Sequence, residues 1–277
     1  MTTTAVVTGA SSGMGLFAAV ELAKRGLDVV GTVRDTARAS ALLEAADEAG
    51  VSVSIAELEV TDPAAGDRLA AIAAEHDGID VLINNAGRGC VGTAEDLTMD
   101  EIEAQLAVNY LGPVRLTKAV LPAMRERGQG RILTVTSVGG VVGQPFADAY
   151  CGAKFAIEGF MQSLAVVARE VGVWVSVVEP AAVASSFVDN AARTASEGPY
   201  AALLDAYLAR TKVSFAAAQQ AADAGRAIAD AATSDTYRFR WQTSEAAERF
   251  ASISLADLDG SRVQGVTAGW IAPSGSA

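Results

Sequence analysis

The chain is predicted to fold as an α/β protein, a doubly wound and mostly parallel sheet with helices on both faces. Three observations carry that expectation. Short apolar runs alternate with helical patterns over most of the chain. The runs are not joined by hairpin turn signals, so the strands are expected to be parallel. A glycine-rich stretch lies between the first apolar run and the first helical pattern, the context a phosphate-binding loop requires.

Residues 4–8 form the first strand. Gly9-Ala-Ser-Ser-Gly13-Met-Gly15 follows, then a helix over 16–25 closed by Gly26. Gly9 permits a tight turn, Gly13 lets backbone approach a pyrophosphate, and Gly15 lets the helix pack closely on the strand. Residues 28–33 are the second strand. An acid at its end would hydrogen-bond a ribose 2′-hydroxyl, whereas an arginine accommodates a 2′-phosphate. Val33 stands there, followed by Arg34, so NADP(H) is expected in preference to NAD(H). Asp35 must then turn away. Ser11 or Ser12 can donate to the phosphates, and the plainer reading of Arg34 is a surface charge.

A helix over 36–49 ends at Gly50, and 51–60 is the third strand. Pro63 opens a helix to residue 75. Residues 79–83 are the fourth strand, followed by the small segment Asn84-Asn85-Ala86-Gly87, which invites close approach by a cofactor. A long helical region over 99–127 carries Asn109 and is interrupted by Gly112-Pro113, where a kink is expected. Residues 131–136 form the fifth strand, ending at Ser137. A helix over 149–171 and a sixth strand over 173–178 follow. After an irregular stretch come helices over 200–210 and 216–231. Residues 237–241 alternate like a seventh strand, and 243–258 form a helix capped at Thr243 or Ser244. Residues 274–277 are expected to fray. With no repeat or linker before residue 184, residues 1–277 are expected to form one domain.

On the helix after the fifth strand, Tyr150 and Lys154 are four residues apart and share a face. A free tyrosine titrates near pH ~10, and a fixed cation beside it favours phenolate. The pair reads as a tuned proton donor or acceptor, against the bland reading of an exposed helical pair. Ser137, the Asn84–Gly87 segment and Arg34 all fall at carboxyl ends of strands, where such sheets bind ligands.

The bulk numbers exclude other classes. The net charge of −12 argues against nucleic acid and anionic membranes. Cys90 and Cys151 offer neither a disulfide framework nor metal-ligand spacing, so no metal is expected. The single histidine, His76, is read as a solvated residue at a helix end. The apolar run over 164–178 is broken by Arg169, Glu170 and Gly172, so no membrane span is expected. With no basic leader before the first strand, a cytoplasmic location is expected.

Thr8-Gly-x-x-x-Gly-x-Gly15, Asn84-Asn-Ala-Gly87, Asn109, Ser137 and Tyr150-x-x-x-Lys154, in this order, resemble the short-chain dehydrogenase/reductase family over most of the first 185 residues. The end of the second strand, the Val-Glu-Pro180 segment and the long tail look most like its hydroxysteroid and retinol dehydrogenase branch. The resemblance implies a Rossmann-type, seven-stranded sheet. It implies an NADP(H)-dependent oxidoreductase interconverting a carbonyl and a secondary alcohol. Tyr150 would be the acid/base, Lys154 would lower its pKa and bind the nicotinamide ribose, Ser137 would bind the substrate oxygen, and Asn109 would hold a water. Gly9, Ser11, Ser12, Gly13, Met14, Gly15, Arg34, Glu59, Val60, Asn85, Ala86, Gly87, Pro180, Val183 and Ser185 would line the cofactor.

Two positions depart from the family pattern. Ala181 stands for the usual glycine after Pro180, and Glu59 for the usual aspartate, so Val60 backbone is an alternative adenine contact. A substrate lid is implied over about 184–215, with Phe187, Val188, Phe215, Val141, Val142 and Phe146 either lining an apolar pocket or serving as core. The family also implies a homodimer or homotetramer and a small, fairly apolar carbonyl or alcohol as substrate. A catalytically silent dinucleotide-binding sensor or scaffold is the alternative, supported by Pro180-Ala181. A biosynthetic-pathway ketone is the alternative to a steroid- or retinoid-like substrate.

Overall fold

The computed structural model describes residues 2–185, 192, 193 and 198–261. Seven strands form one sheet: β1 (Thr4–Thr8), β2 (Asp28–Val33), β3 (Ser54–Glu57), β4 (Val81–Asn84), β5 (Gly130–Val135), β6 (Val173–Glu179) and β7 (Arg240–Gln242). Their order is β7-β6-β5-β4-β1-β2-β3, and each neighbouring pair is parallel. The chain winds outward through β2 and β3, then returns to the middle and winds the other way. The order reverses between β1 and β4, where a crevice opens at the strand carboxyl ends.

Nine helices are described: α1 (Gly13–Lys24), α2 (Ser40–Glu48), α3 (Ala65–Glu75), α4 (Met99–Leu106), α5 (Gly112–Arg127), α6 (Asp148–Arg169), α7 (Ala201–Ala216), α8 (Ala221–Thr233) and α9 (Glu245–Ala251). The strands divide their side chains between two cores with the period of two that a pleated strand imposes. Ala5, Val7, Ile83 and Leu133 face the core shared with Leu22, Leu42 and Ile228 of α1, α2 and α8. Val6, Leu82 and Ile132 face the opposite core, shared with Leu69, Leu116, Met124, Ile157 and Met161 of α3, α5 and α6. Burying such side chains stabilises by about 1.5–3 kcal/mol each, so both layers clamp the sheet and fix the crevice between them.

Several boundaries differ from the sequence expectation. The third strand pairs over only four residues. The helix expected over 36–49 starts as a 3-10 turn, Thr36–Arg38, because the Asp35 side chain caps it by accepting the Ala37 N–H at 3.0 Å. The helix expected from residue 216 starts at Ala221, after Gln219–Gln220 pairs in parallel with Val183–Ala184. The seventh strand forms beside β6. Ser244 caps α9, accepting the Ala247 N–H. His76 is a correction. It ends α3 as expected, but its Nδ1 lies 2.8 Å from Asp28 Oδ2 and its side chain is 18% exposed. No helix among the described residues is long and apolar enough to cross a membrane.

Candidate active site

The glycine loop is held by the end of β4. The buried Thr8 hydroxyl accepts the Asn85 and Ala86 N–H groups, both at 3.0 Å. The Asn85 amide donates to the Thr8 carbonyl at 2.8 Å and to the Gly9 carbonyl at 3.2 Å. Gly9 and Gly13 lie at φ 66° and 60°, the left-handed region that favours glycine. A methyl group on Gly9 would sit 2.9 Å from Ala86 Cα. At Gly15 it would sit 2.2 Å from the Asn85 amide nitrogen and 2.6 Å from the Gly9 carbonyl. Gly15 therefore clears room for Asn85, a more specific reason than close helix packing. Beside Gly13, a methyl group would lie 3.3 Å from Ser185 Cβ, which brings Ser185, two residues after Val183, to the loop.

Above this loop, α1 presents its first-turn N–H groups. Ser12 is the N-cap, its side chain makes no capping bond, and the first turn has no acidic residue. A helix start left this way offers backbone donors and a partial positive charge to an anion. The residues present therefore fit a dinucleotide pyrophosphate, and a side chain on Gly9 or Gly13 would be strained and would crowd Ala86 or Ser185. Arg34 is exposed at the end of β2, and Asp35 is turned into its own backbone as a cap. Glu59 is turned onto Thr61, accepting its N–H and hydroxyl at 3.0 Å each. The Val60 carbonyl accepts from Arg115 Nη1 at 2.7 Å.

Asn109 sits in a π-helical turn, Ala107–Leu111, between α4 and α5. Pro113 has no N–H to close the α-helical bond to the Asn109 carbonyl, and the Gly112 N–H bonds back five residues to Ala107. This wide turn stands where a proline kink was expected. The Asn109 side chain is buried and committed: its amide donates to the Arg88 carbonyl at 2.9 Å and to Gln105 Oε1 at 3.0 Å, and its oxygen accepts the Arg88 N–H at 3.3 Å. It thereby holds the Gly87–Gly89 segment beside Lys154. A methyl group on Gly87 would lie 2.9 Å from Asn109 Oδ1 and 3.6 Å from Lys154 Nζ.

Ser137 follows β5 and accepts the Gly139 N–H at 2.9 Å, which leaves its hydroxyl proton to donate. It hydrogen-bonds the Tyr150 hydroxyl. Pro180 accepts the Val138 N–H at 3.0 Å through its carbonyl, locking the Ser137 turn to the end of β6. Lys154 Nζ donates to the Val135 carbonyl at 2.9 Å and lies 5.9 Å from the centre of the Tyr150 ring. Tyr150 is half-buried as a residue. Burial pushes the phenol up to about 12, against the hydrogen bond from Ser137. Burial also pulls Lys154 down to about 8, against the nearby Glu158 charge. In the ligand-free chain burial dominates the phenol, and the Lys154 ammonium is directed at the Val135 backbone carbonyl.

Of the expected apolar wall, Val141 is buried and Phe146 is half-buried at φ 59°. The Phe146 ring lies 5.6 Å from Tyr207 of α7. Phe187 and Val188 lie outside the described residues. Ala181 has no positive φ, so the methyl group in place of the usual glycine meets no backbone strain. Sequence reasoning named Thr8 only as the start of the glycine motif, with no role, and missed Gln105 as a support of this site. It also missed a buried charged cluster, Glu158, Glu179 and Arg240. The signal available for Glu158 was its spacing, one further helical step of four beyond Lys154.

Residues 3–196 match the family model described as short chain dehydrogenase, and the chain belongs to that family of oxidoreductases. Human retinol dehydrogenase 8 is 42% identical over 189 residues, 66% of this chain and 60% of that protein. Mouse 17-beta-hydroxysteroid dehydrogenase type 1 is 41% identical over 194 residues, 68% of this chain and 56% of that one. The match thus spans less than two thirds of either relative. A solved short-chain dehydrogenase from Streptomyces avermitilis superposes with TM-score 0.79 at 31% identity, covering 97% of this chain and 94% of that one. Another from Sphingobium yanoikuyae, in complex with NADPH, gives TM-score 0.73 at 26% identity over 99% and 98% of the two chains.

Proposed function

We propose that this protein is an NADP(H)-dependent oxidoreductase that interconverts a carbonyl and a secondary alcohol, with Tyr150 as acid and base. The observation that carries this reading is the convergence of Ser137, Tyr150 and Lys154 beside the glycine loop and the Asn109-held segment. The loop Gly9–Gly15, the α1 start, Ala86, Gly87, Val60, Val183, Ser185 and Lys154 would hold the dinucleotide, and Arg34 its 2′-phosphate. The bound nicotinamide supplies or accepts the hydride.

The chain's own residues handle the proton. The phenol keeps its proton at neutral pH, the protonation state that carbonyl reduction requires of its acid. Tyr150 gives that proton to the substrate oxygen as negative charge develops there. Ser137 donates a hydrogen bond to the same oxygen, a stabilisation worth most in a water-poor site. In alcohol oxidation Tyr150 takes the proton back. The Asn109 side chain is committed, so its main-chain carbonyl is the atom we assign to a water leading from Lys154 to solvent. The half-buried Phe146 and Tyr207 rings support a fairly apolar substrate, as do the retinol and hydroxysteroid names of the relatives.

Replacement of Tyr150 by phenylalanine tests the reading. The variant is expected to keep NADPH affinity and lose about 10²–10⁴-fold in kcat on a ketone accepted by the wild type. Turnover within twofold of wild type would remove Tyr150 from the mechanism. A panel of carbonyl compounds, run with NADPH and with NADH, would supply that ketone.

A further inference from the structure

The buried charged cluster beneath the candidate site takes no part in the steps above. Glu158 lies one helical step beyond Lys154 on α6, so the two side chains share a face. Glu158 Oε1 is 2.5 Å from the Thr136 hydroxyl, and Oε2 accepts from Arg240 Nη1 at 2.7 Å. The same Nη1 donates to Glu179 Oε1, and Glu179 Oε2 accepts from Gln242 at 2.7 Å. The side chains of Glu158, Glu179 and Arg240 are 5% exposed or less. One guanidinium therefore faces two carboxyl groups in a place where unbalanced charge is costly.

Two arrangements restore the balance, and the geometry serves both. The Lys154 ammonium can be the second cation, giving two charges of each sign. Alternatively, Glu158 can carry a proton. The Thr136 hydroxyl has one proton and also lies 3.2 Å from the Val178 carbonyl. When that proton goes to Val178, the short contact to Glu158 needs a proton from the carboxyl group.

We propose that Glu158 is a positioning residue that holds Lys154 in its ammonium form by passing from acid to carboxylate as the pH rises. The proposal rests on the Tyr150–Lys154 couple proposed above. The neighbours leave Glu158 as the group able to do this. On α6, Lys154 faces Tyr150 and Glu158. Past Glu158 stand Glu179 of β6, bound to Arg240 and Gln242, and Arg240 of β7. The π-turn presents the neutral Asn109 and the β4 end Gly87. Arg88 acts on Cys90 and Glu101. The Ser137–Gly140 turn is uncharged, and α9 buries only Ala247 and Ala251. Burial and the Glu179 charge push Glu158 up, so it still holds a proton near neutrality. Its carboxylate then opposes the burial that draws Lys154 down.

The test is Glu158→Gln, which keeps the shape and the bond to Arg240. The 13C resonance of the Lys154 side chain, assigned with Lys154→Arg, is followed against pH in ligand-free protein. The Lys154 midpoint is expected about one pH unit lower in the variant. The alkaline limb of the kcat profile for ketone reduction should move in the same direction. An unmoved midpoint, or a uniform fall in kcat with an unmoved limb, overturns the proposal and leaves Glu158 a structural role. Wild-type protein provides a second measurement should the variant not fold. Its Lys154 resonance should titrate in two steps, the first as Glu158 ionises, and a single step overturns the proposal. These titrations need no turnover. They stand apart from the Tyr150→Phe result, which alone decides the catalytic reading.

Discussion

The two halves of the candidate site are made of different materials. On the β1–β4 side, the cradle consists of glycines, the Thr8 hydroxyl and the Asn85 amide, none of which changes charge. On the β5–β7 side, Tyr150, Lys154, Glu158, Glu179 and Arg240 crowd ionisable groups into a nearly dry space. The first half is selected by shape and the second by charge balance. A shape-built half should fail sterically, alike at all pH values. A charge-built half should fail by amounts that depend on pH.

The largest effect is expected from Arg240→Met. It leaves two buried carboxyl groups without their shared cation, a loss of about 3–5 kcal/mol in unfolding free energy. The sign of its pH dependence follows from Glu158. The folded pKa of Glu158 is raised above its unfolded value, so between the two the native state holds a proton that the unfolded state has released. Stability therefore falls as pH rises through that window. Arg240 is one of the influences holding the Glu158 pKa down, so its removal widens the window. Lys154 works in the opposite direction: depressed to about 8, it adds stability as pH climbs from there toward its ordinary value. Urea unfolding of wild type and variant should thus give a larger difference at pH 8 than at pH 5. An equal difference at both would show that packing, and not charge, sets the cost.

The same contrast explains what could be read from the sequence. The glycine loop and Tyr150–Lys154 are local: each set lies within one turn or one helix, so spacing alone reports geometry. The parallel, doubly wound sheet followed from strand–helix alternation, because a right-handed crossover leaves few ways to wind. The charged cluster is nonlocal. Glu158 meets Arg240 across 82 positions, and the spacing of Glu158 from Lys154 does not point to Arg240. The strut from Asn85 to the glycine loop spans 77 positions. His76 was misread for the same reason, since its partner Asp28 is 48 residues away. Sequence shows the cation four residues from Tyr150 but not the burial that raises the phenol. The π-turn had a signal in Pro113, which removes the N–H that an α-helix would have offered Asn109.

An intermediate effect is expected on the shape-built side. Gly9→Ala places a side chain at φ 66° and 2.9 Å from Ala86 Cα. Left-handed strain and the displaced β4 end should together cost about 1–3 kcal/mol of stability. Dinucleotide affinity should fall with it, because the loop and Ala86 must separate. Unlike the Arg240 variant, this loss should be the same at pH 5 and pH 8. A loss that changes with pH would break the division between the halves.

The smallest effect concerns a charge that lies on the shape-built side. Arg34 is exposed at the end of β2, and the acid next to it in sequence, Asp35, is occupied as a cap on the Ala37 N–H. That leaves the guanidinium free to meet a 2′-phosphate at the rim. A charge-assisted contact in an exposed place is worth about 1 kcal/mol or slightly more, so Arg34→Ala should lower the NADPH-to-NADH preference roughly tenfold. Solvent screening gives the contact a second signature: the wild-type preference should shrink as salt rises, and the variant's should not. Binding of the two dinucleotides by fluorescence titration at low and high ionic strength separates these outcomes. A ratio unchanged by the substitution would make Arg34 an ordinary surface charge. The β1–β4 side would then choose its ligand by shape alone.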